Sequence, residues 1–190
     1  MRCMICESLS LLHICKKCQI EFLSPSLYKR KILGKIPVYS FYKYKEIESL
    51  LLSKHTDLGY YIYTILAKNS FSPFAKNFDY ASELASIGID DHVKNGYSHT
   101  AILNKHLKSQ NIRPRYARLR AESPVSYSGK DYQFRLLNPR KFEVASFKEE
   151  EVILVDDIIT TGLTLTQAVE ALHSKGKKVI LCLTLADARK

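Results

Sequence analysis

Residues Ile153–Thr164 read ILVDDIITTGLT, and this stretch decides the fold. An apolar, β-branched run from Val152 to Val155 ends in two adjacent carboxylates, Asp156 and Asp157. Two residues later comes the turn Thr160-Thr161-Gly162-Leu163-Thr164, and then Leu165, Ala168, Val169 and Leu172 at helical spacing, with Gly176 where a C-terminal cap belongs. The pattern predicts a buried strand, an acidic pair at its carboxyl end, a hydroxyl-rich turn and a helix. Val179–Leu185 reads as the next buried strand.

That arrangement suits a sugar phosphate. The first N–H groups of a helix have no intrahelical partner and sit at the positive end of the macrodipole, so a helix start attracts anions. The threonine hydroxyls add donors, and Gly162 lets the backbone come close to a ligand. The carboxylates can accept hydrogen bonds from ribose hydroxyls. The chain contains neither a G-x-G-x-x-G dinucleotide fingerprint nor a G-x-x-x-x-G-K-[ST] phosphate loop. An ordinary capped strand–turn–helix with an exposed acidic pair is the plainer alternative.

The stretch resembles the phosphoribosyl pyrophosphate (PRPP) signature of the type I phosphoribosyltransferases. The resemblance implies that Asp156 and Asp157 hold the ribose and that Thr160, Thr161, Gly162, Leu163 and Thr164 hold the 5′-phosphate. It also implies Mg²⁺ bound mainly through the ligand's own oxygens.

At the other end, Cys3-x-x-Cys6 and Cys15-x-x-Cys18 are separated by eight residues. Paired C-x-x-C units make two tight knuckles that give four thiolates to one tetrahedral ion, for which Zn²⁺ is the best fit. All four positions are filled, so the expected site is structural. A redox dithiol and disulfides are the competing readings. His13, between the knuckles, reads as a bystander, and Cys182, in an apolar run, as core.

A Cys₄ module followed by a phosphoribosyltransferase-like domain is similar to the ComF family of natural-transformation proteins. Lys94–Thr100 stands where that family has an Arg-Gly-Phe-Asn-Gln-like loop, and Ser126–Val144 resembles its Arg-x-x-Asn segment. This implies a pyrophosphate or acceptor loop at Asn95, Gly96, Tyr97 and Ser98, although the usual arginine and glutamine are absent there. It further implies single-stranded DNA and other DNA-uptake proteins as partners, in the cytoplasm or at the cytosolic face of the inner membrane.

The expected fold class is therefore α/β, type I phosphoribosyltransferase-like, with a mostly parallel sheet, flanking helices and a small N-terminal zinc knuckle. Residues 1–30 would form the metal module and residues 31–190 the larger domain. The chain's 190 residues suit one such domain with an appendage. Its longest apolar run is too short to span a membrane, and its N-terminus has the metal module in place of an apolar leader. Between the ends, residues 20–33 read as a connector and Pro37–Tyr44 as a strand. Glu46–Lys54 and Leu58–Lys68 read as helices, Leu84–Ile89 as a strand, Ser98–Lys108 as a helix and Ile112–Leu119 as a strand. The polar, poorly periodic Pro124–Lys148 reads as an arm or lid.

The formal net charge is +10, and it is segregated. Lys29–Lys45 carries six basic residues and no acidic ones, as does Lys105–Arg120. Such segregation is the footprint of a polyanion partner. The candidate DNA contacts are Lys43, Lys45, Lys105, Lys108, Arg113, Arg115, Arg118 and Arg120. Tyr39, Phe41, Tyr42 and Tyr44 are either stacking platforms or sheet core. Two functions stand open: a DNA-uptake factor that binds PRPP and single-stranded DNA, and an active phosphoribosyltransferase with a nitrogen acceptor.

Overall fold

The computed structural model describes residues 1–89, 93, 96–122 and 141–189. The central strands are β1 (Tyr28–Ile32), β2 (Ile36–Lys43), β3 (Leu84–Gly88), β4 (Ile112–Arg115), β7 (Glu151–Ile159) and β8 (Lys178–Asp187). They form one sheet in the order β1-β2-β8-β7-β3-β4. Every neighbouring pair is parallel except β1–β2, an antiparallel edge pair. A second, two-stranded antiparallel sheet pairs β5 (Leu119–Ala121) with β6 (Phe142–Val144). The fold class expected from the sequence is the one observed.

Helices α1 (Lys16–Phe22), α2 (Tyr44–Leu51), α3 (Asp57–Asn69), α4 (Phe71–Asn77), α5 (His99–Lys105) and α6 (Leu163–Ser174) complete the described elements. They cover the sheet on both faces. Ile153, Val155 and Leu183 pack in one apolar cluster with residues of α2, α3, α4 and α5. Val152, Leu154 and Cys182 pack in the other with Leu165, Val169 and Leu172 of α6. A strand buried on both sides needs a continuous apolar run, and Val152–Val155 supplies one.

The N-terminal module joins the same core. Cys3, Ile14, Cys18 and Leu23 are buried with Phe41 and Tyr42, and the Tyr42 hydroxyl donates to the Leu23 carbonyl at 2.9 Å. His13 is not part of the four-cysteine cluster; it stacks on Tyr61 of α3 with ring centroids 4.4 Å apart. Strand β1 crosses the expected boundary at residue 30 and belongs to the main sheet.

Several local expectations change. The connector over residues 20–33 contains the end of α1 and all of β1. The expected strand Ile112–Leu119 is two strands in two sheets. Pro114 lacks an N–H and suits the edge position of β4. After β4, Ala117 takes φ +53° and turns the chain toward β5. Helix α4 lies in a segment assigned no element; Pro73 sits in its first turn, where the missing N–H costs nothing. Helix α2 stops at Leu51, which leaves Lys54 in the turn before α3. There Thr56 caps α3, its hydroxyl accepting from the Gly59 N–H at 3.3 Å. Phe41 and Tyr42 are core, because β2 is an inner strand covered on both faces, while Tyr39 and Tyr44 are half-buried. Of the expected arm at Pro124–Lys148, only residues 141–148 are described, and they include β6. No helix among the described residues is long and apolar enough to cross a membrane.

Candidate functional site

Asp156 and Asp157 lie near the carboxyl end of β7, the position where parallel α/β sheets present ligand-binding groups. The chain then passes through Thr160 and Thr161, both exposed, and turns at Gly162 into α6. Gly162 has φ +86°, in the left-handed region, and a Cβ there would stand 2.9 Å from Ile32 Cγ2. Both the conformation and the close approach of β1 call for glycine. Leu163 N–H donates to Thr161 Oγ1 at 3.3 Å, which shapes the turn. Asp156, Thr160, Gly162 and Thr164 line one shallow depression at the start of α6. The acid, the hydroxyls and the helix N-terminus therefore converge on one surface.

The two carboxylates have different surroundings. Asp156 is half-buried, and its Oδ1 accepts the Asp157 N–H at 2.8 Å. Asp157 is 7% exposed and turns toward α3 and α5. Its Oδ1 accepts from Ile158 N–H at 2.8 Å. Its Oδ2 lies 3.2 Å from Lys54 Nζ, 3.3 Å from His99 Nε2 and 3.5 Å from the Tyr63 hydroxyl. Burial alone would push the Asp157 carboxyl up, but His99 and Lys54 outweigh it and hold it well below the usual carboxylate range. Burial and the neighbouring Asp157 push the Tyr63 phenol up, so it remains a donor. His99 is buried, with its ring 5.5 Å from Tyr63 and 6.0 Å from His55.

The turn between β7 and α6 is also held from outside the strand–helix unit. Arg30 of β1 donates to the Thr160 carbonyl at 2.8 Å and to Asp187 Oδ1 at 3.3 Å. Asp187, 4% exposed at the end of β8, also accepts from Arg189 Nε at 2.8 Å. Burial pushes its pKa up, but Arg189 and Arg30 outweigh that and hold it below the usual carboxylate value.

In the loop expected to handle pyrophosphate or an acceptor, Asn95 lies outside the described residues. Gly96 has φ +80°. The Tyr97 hydroxyl donates to the Thr56 carbonyl at 2.9 Å. Ser98 caps α5, its Oγ accepting from Ala101 N–H at 3.2 Å.

The four cysteine sulfurs all lie within 4.8 Å of one another. Cys6 Sγ and Cys15 Sγ are 3.7 Å apart. A tetrahedral ion with sulfur ligands at about 2.3 Å requires a sulfur–sulfur edge of about 3.8 Å. Backbone N–H groups of Cys15 and Ile5 point at Cys3 Sγ at 3.3 and 3.5 Å. The Cys15 amide is the leading cause that lowers the Cys3 thiol to about 6. Donor set and spacing both fit one metal ion, and four sulfurs leave no coordination position for a substrate.

The basic residues do not form one stripe. Lys43, Lys45, Lys105, Lys108 and Arg120 are exposed, and Arg118 is half-buried. Arg113 is paired with Glu83 at 2.7 Å, and Arg115 Nε with both oxygens of the buried Glu149 at 3.1 Å. Three strands separate β2 from β4, which puts Lys43 and the two arginines on the order of 19 Å apart at the usual strand spacing.

Lys54, Tyr63, His99 and Arg30 escaped the sequence reading as site residues. The only hints were local: Lys54 falls at the break between two helical patterns, and His99 falls in the loop-to-helix segment already singled out.

Residues 137–190, which hold β6, β7, the turn, α6 and β8, match the family model of the phosphoribosyl transferase domain. No curated protein matches the chain. Among solved structures, the chain is similar to a hypoxanthine phosphoribosyltransferase from Staphylococcus aureus. That alignment has 18% identity and a TM-score of 0.41, and covers 66% of this chain and 62% of that one. It is also similar to the Trypanosoma cruzi hypoxanthine phosphoribosyltransferase in a ternary complex with substrates. There the identity is 18% and the TM-score 0.40, with 67% of this chain and 66% of that one covered. The chain thus spans less than two thirds of the length of either enzyme.

Proposed function

We propose that this chain binds PRPP at the carboxyl end of β7 and single-stranded DNA on its basic surface, as a DNA-uptake factor. One observation carries the ligand half: Asp156 lines the same depression as Thr160, Gly162 and Thr164 at the start of α6. A ribose 5-phosphate laid there meets a carboxylate for its hydroxyls and the N-terminus of α6 for its phosphate. The phosphoribosyl transferase match over residues 137–190 supports the same ligand class. Mg²⁺ would arrive with the pyrophosphate, whose oxygens it needs.

The DNA half is supported by the net charge of +10 and the exposed Lys43, Lys45, Lys105 and Lys108. The resemblance of the whole chain to the ComF family supports uptake, DNA-uptake proteins as partners, and work at the cytosolic face of the inner membrane. In this reading the Cys₄ cluster holds Zn²⁺ and braces α3 through the His13–Tyr61 stack.

The second reading is an active phosphoribosyltransferase, in which a nitrogen nucleophile displaces pyrophosphate from PRPP. It draws on the same depression, and on the fact that such catalysis is mostly positioning and charge stabilisation.

Calorimetric titration of the zinc-loaded protein with PRPP and Mg²⁺, with and without a short single-stranded oligonucleotide, tests the proposal. Saturable PRPP binding together with salt-sensitive oligonucleotide binding is the expected result; absence of the first removes the ligand site, and absence of the second removes the DNA role. Pyrophosphate release in the presence of nucleobases or amides would move the assignment to the enzyme.

A further inference from the structure

We infer that a row of aromatic rings, running from the four-cysteine module across α3 to Tyr97, is the surface on which the bases of single-stranded DNA stack. This rests on the DNA half of the proposed function and names its base-contacting site.

Three separate segments build the row. His13 of the N-terminal module lies on Tyr61 of α3, with ring centroids 4.4 Å apart and planes inclined by 26°. Tyr61 meets Tyr60 edge to face at 5.5 Å. Tyr60 in turn meets Tyr97, two residues before α5, edge to face at 6.0 Å. The Tyr97 phenol is docked, its hydroxyl donating to the Thr56 carbonyl at 2.9 Å. Gly59 leaves room for it, since a Cβ there would collide with the phenol oxygen.

The rings in the middle of the row are open. Tyr60 is 45% exposed and Tyr61 50%. Rings that meet edge to face cannot cover both faces of each other, so aromatic face is left to solvent. Single exposed tyrosines are ordinary. A continuous row, held at one end by a stack and at the other by a hydrogen bond, marks an interaction surface. Every base has a π-face, so such a row grips single strands whatever their sequence. Charge fits the same partner. Lys16 and Lys17, both exposed, follow His13 within four residues, while Asp57 acts on the Tyr97 phenol at the other end. Phosphates are therefore drawn to the module end of the row.

The test titrates the zinc-loaded full chain with a short oligothymidylate and with an abasic oligonucleotide of the same length, at one salt concentration. Both carry the same phosphates, so the ratio of affinities isolates the bases. Wild type should favour oligothymidylate by about a hundredfold, and Tyr60→Ala and Tyr61→Ala should each reduce that ratio by about tenfold. Phenylalanine at either position should preserve it, because stacking uses the ring and not the hydroxyl. PRPP binding should be unchanged in all four variants. Thermal unfolding reports whether each is folded, and the wild-type ratio needs no variant. Equal wild-type affinity for the two oligonucleotides, or a wild-type ratio in the folded alanine variants, would overturn the stacking row while leaving DNA binding through phosphates. Loss of binding to anionic vesicles in the alanine variants, with the ratio intact, would give the row to a lipid surface instead. If wild type binds neither oligonucleotide, the DNA reading fails along with it.

Discussion

Arg30 donates a hydrogen bond to the carbonyl oxygen of Thr160 at 2.8 Å, joining positions 130 residues apart in the chain. The guanidinium is fixed by the buried Asp187, so the edge strand β1 acts as a strap over the turn between β7 and α6. Arg30→Ala should weaken ribose 5-phosphate and inorganic phosphate alike, by about tenfold, since a charged hydrogen bond that orders the turn is lost. Calorimetry with both ligands checks this.

Gly162→Ala should destabilise the protein and impair phosphate binding together. A non-glycine residue at φ +86° costs about 1–3 kcal/mol, and the new methyl would collide with Ile32 Cγ2. Thermal unfolding should show a drop of several degrees. An unchanged Tm would mean that β1 gives way at no cost.

Acid should unfold the protein partly through Asp157. Its pKa in the folded chain is depressed below the ordinary 3.8, so its pairing contributes stability that is fully present above about pH 4. That contribution is lost as pH falls through the lowered value. Glu149 and Asp187 shift in the same direction, so the informative quantity is the difference between wild type and Asp157→Asn. That difference should shrink between about pH 4 and pH 2. A pH-independent difference would argue against the ion pairs.

Cys15→Ser should abolish metal binding and lower the unfolding temperature of the whole chain, because Cys3, Ile14 and Cys18 share one core with Phe41 and Tyr42. Metal analysis of the purified variant checks the first effect and calorimetric melting the second. Full metal content in the variant would remove the Cys₄ assignment.

Lys105→Glu combined with Lys108→Glu should weaken single-stranded DNA binding and flatten its salt dependence, by about 1.4 in the log–log slope if both contact phosphates. Arg115 is a poorer target, because its removal would strand the buried Glu149. A slope identical to wild type would exclude α5 and the turn after it from the interface.

Some elements were legible because they depend on near neighbours. The Val152–Val155 run predicted a strand buried on both faces, and the periodicity from Leu165 to Leu172 predicted α6. The C-x-x-C pairs gave a four-sulfur cluster because each pair needs only a local knuckle. The misreadings arose where a local pattern was ambiguous: Ile112–Leu119 has the composition of one strand, yet Ala117 turns the chain midway. Helix α4, only seven residues long and containing Pro73, lacks the length that makes helical periodicity visible.

The sequence by itself determined the parallel α/β class, the position of the acidic pair before a helix start, and the cysteine spacing, because each follows from residues adjacent along the chain. Only the tertiary structure decided that Asp156 and Asp157 face different neighbours, that Lys54 and His99 meet on one carboxylate oxygen, and that Arg30 straps Thr160. Those contacts join side chains separated by 58 to 130 positions. Their pairing depends on strand order and helix placement, which local periodicity does not encode.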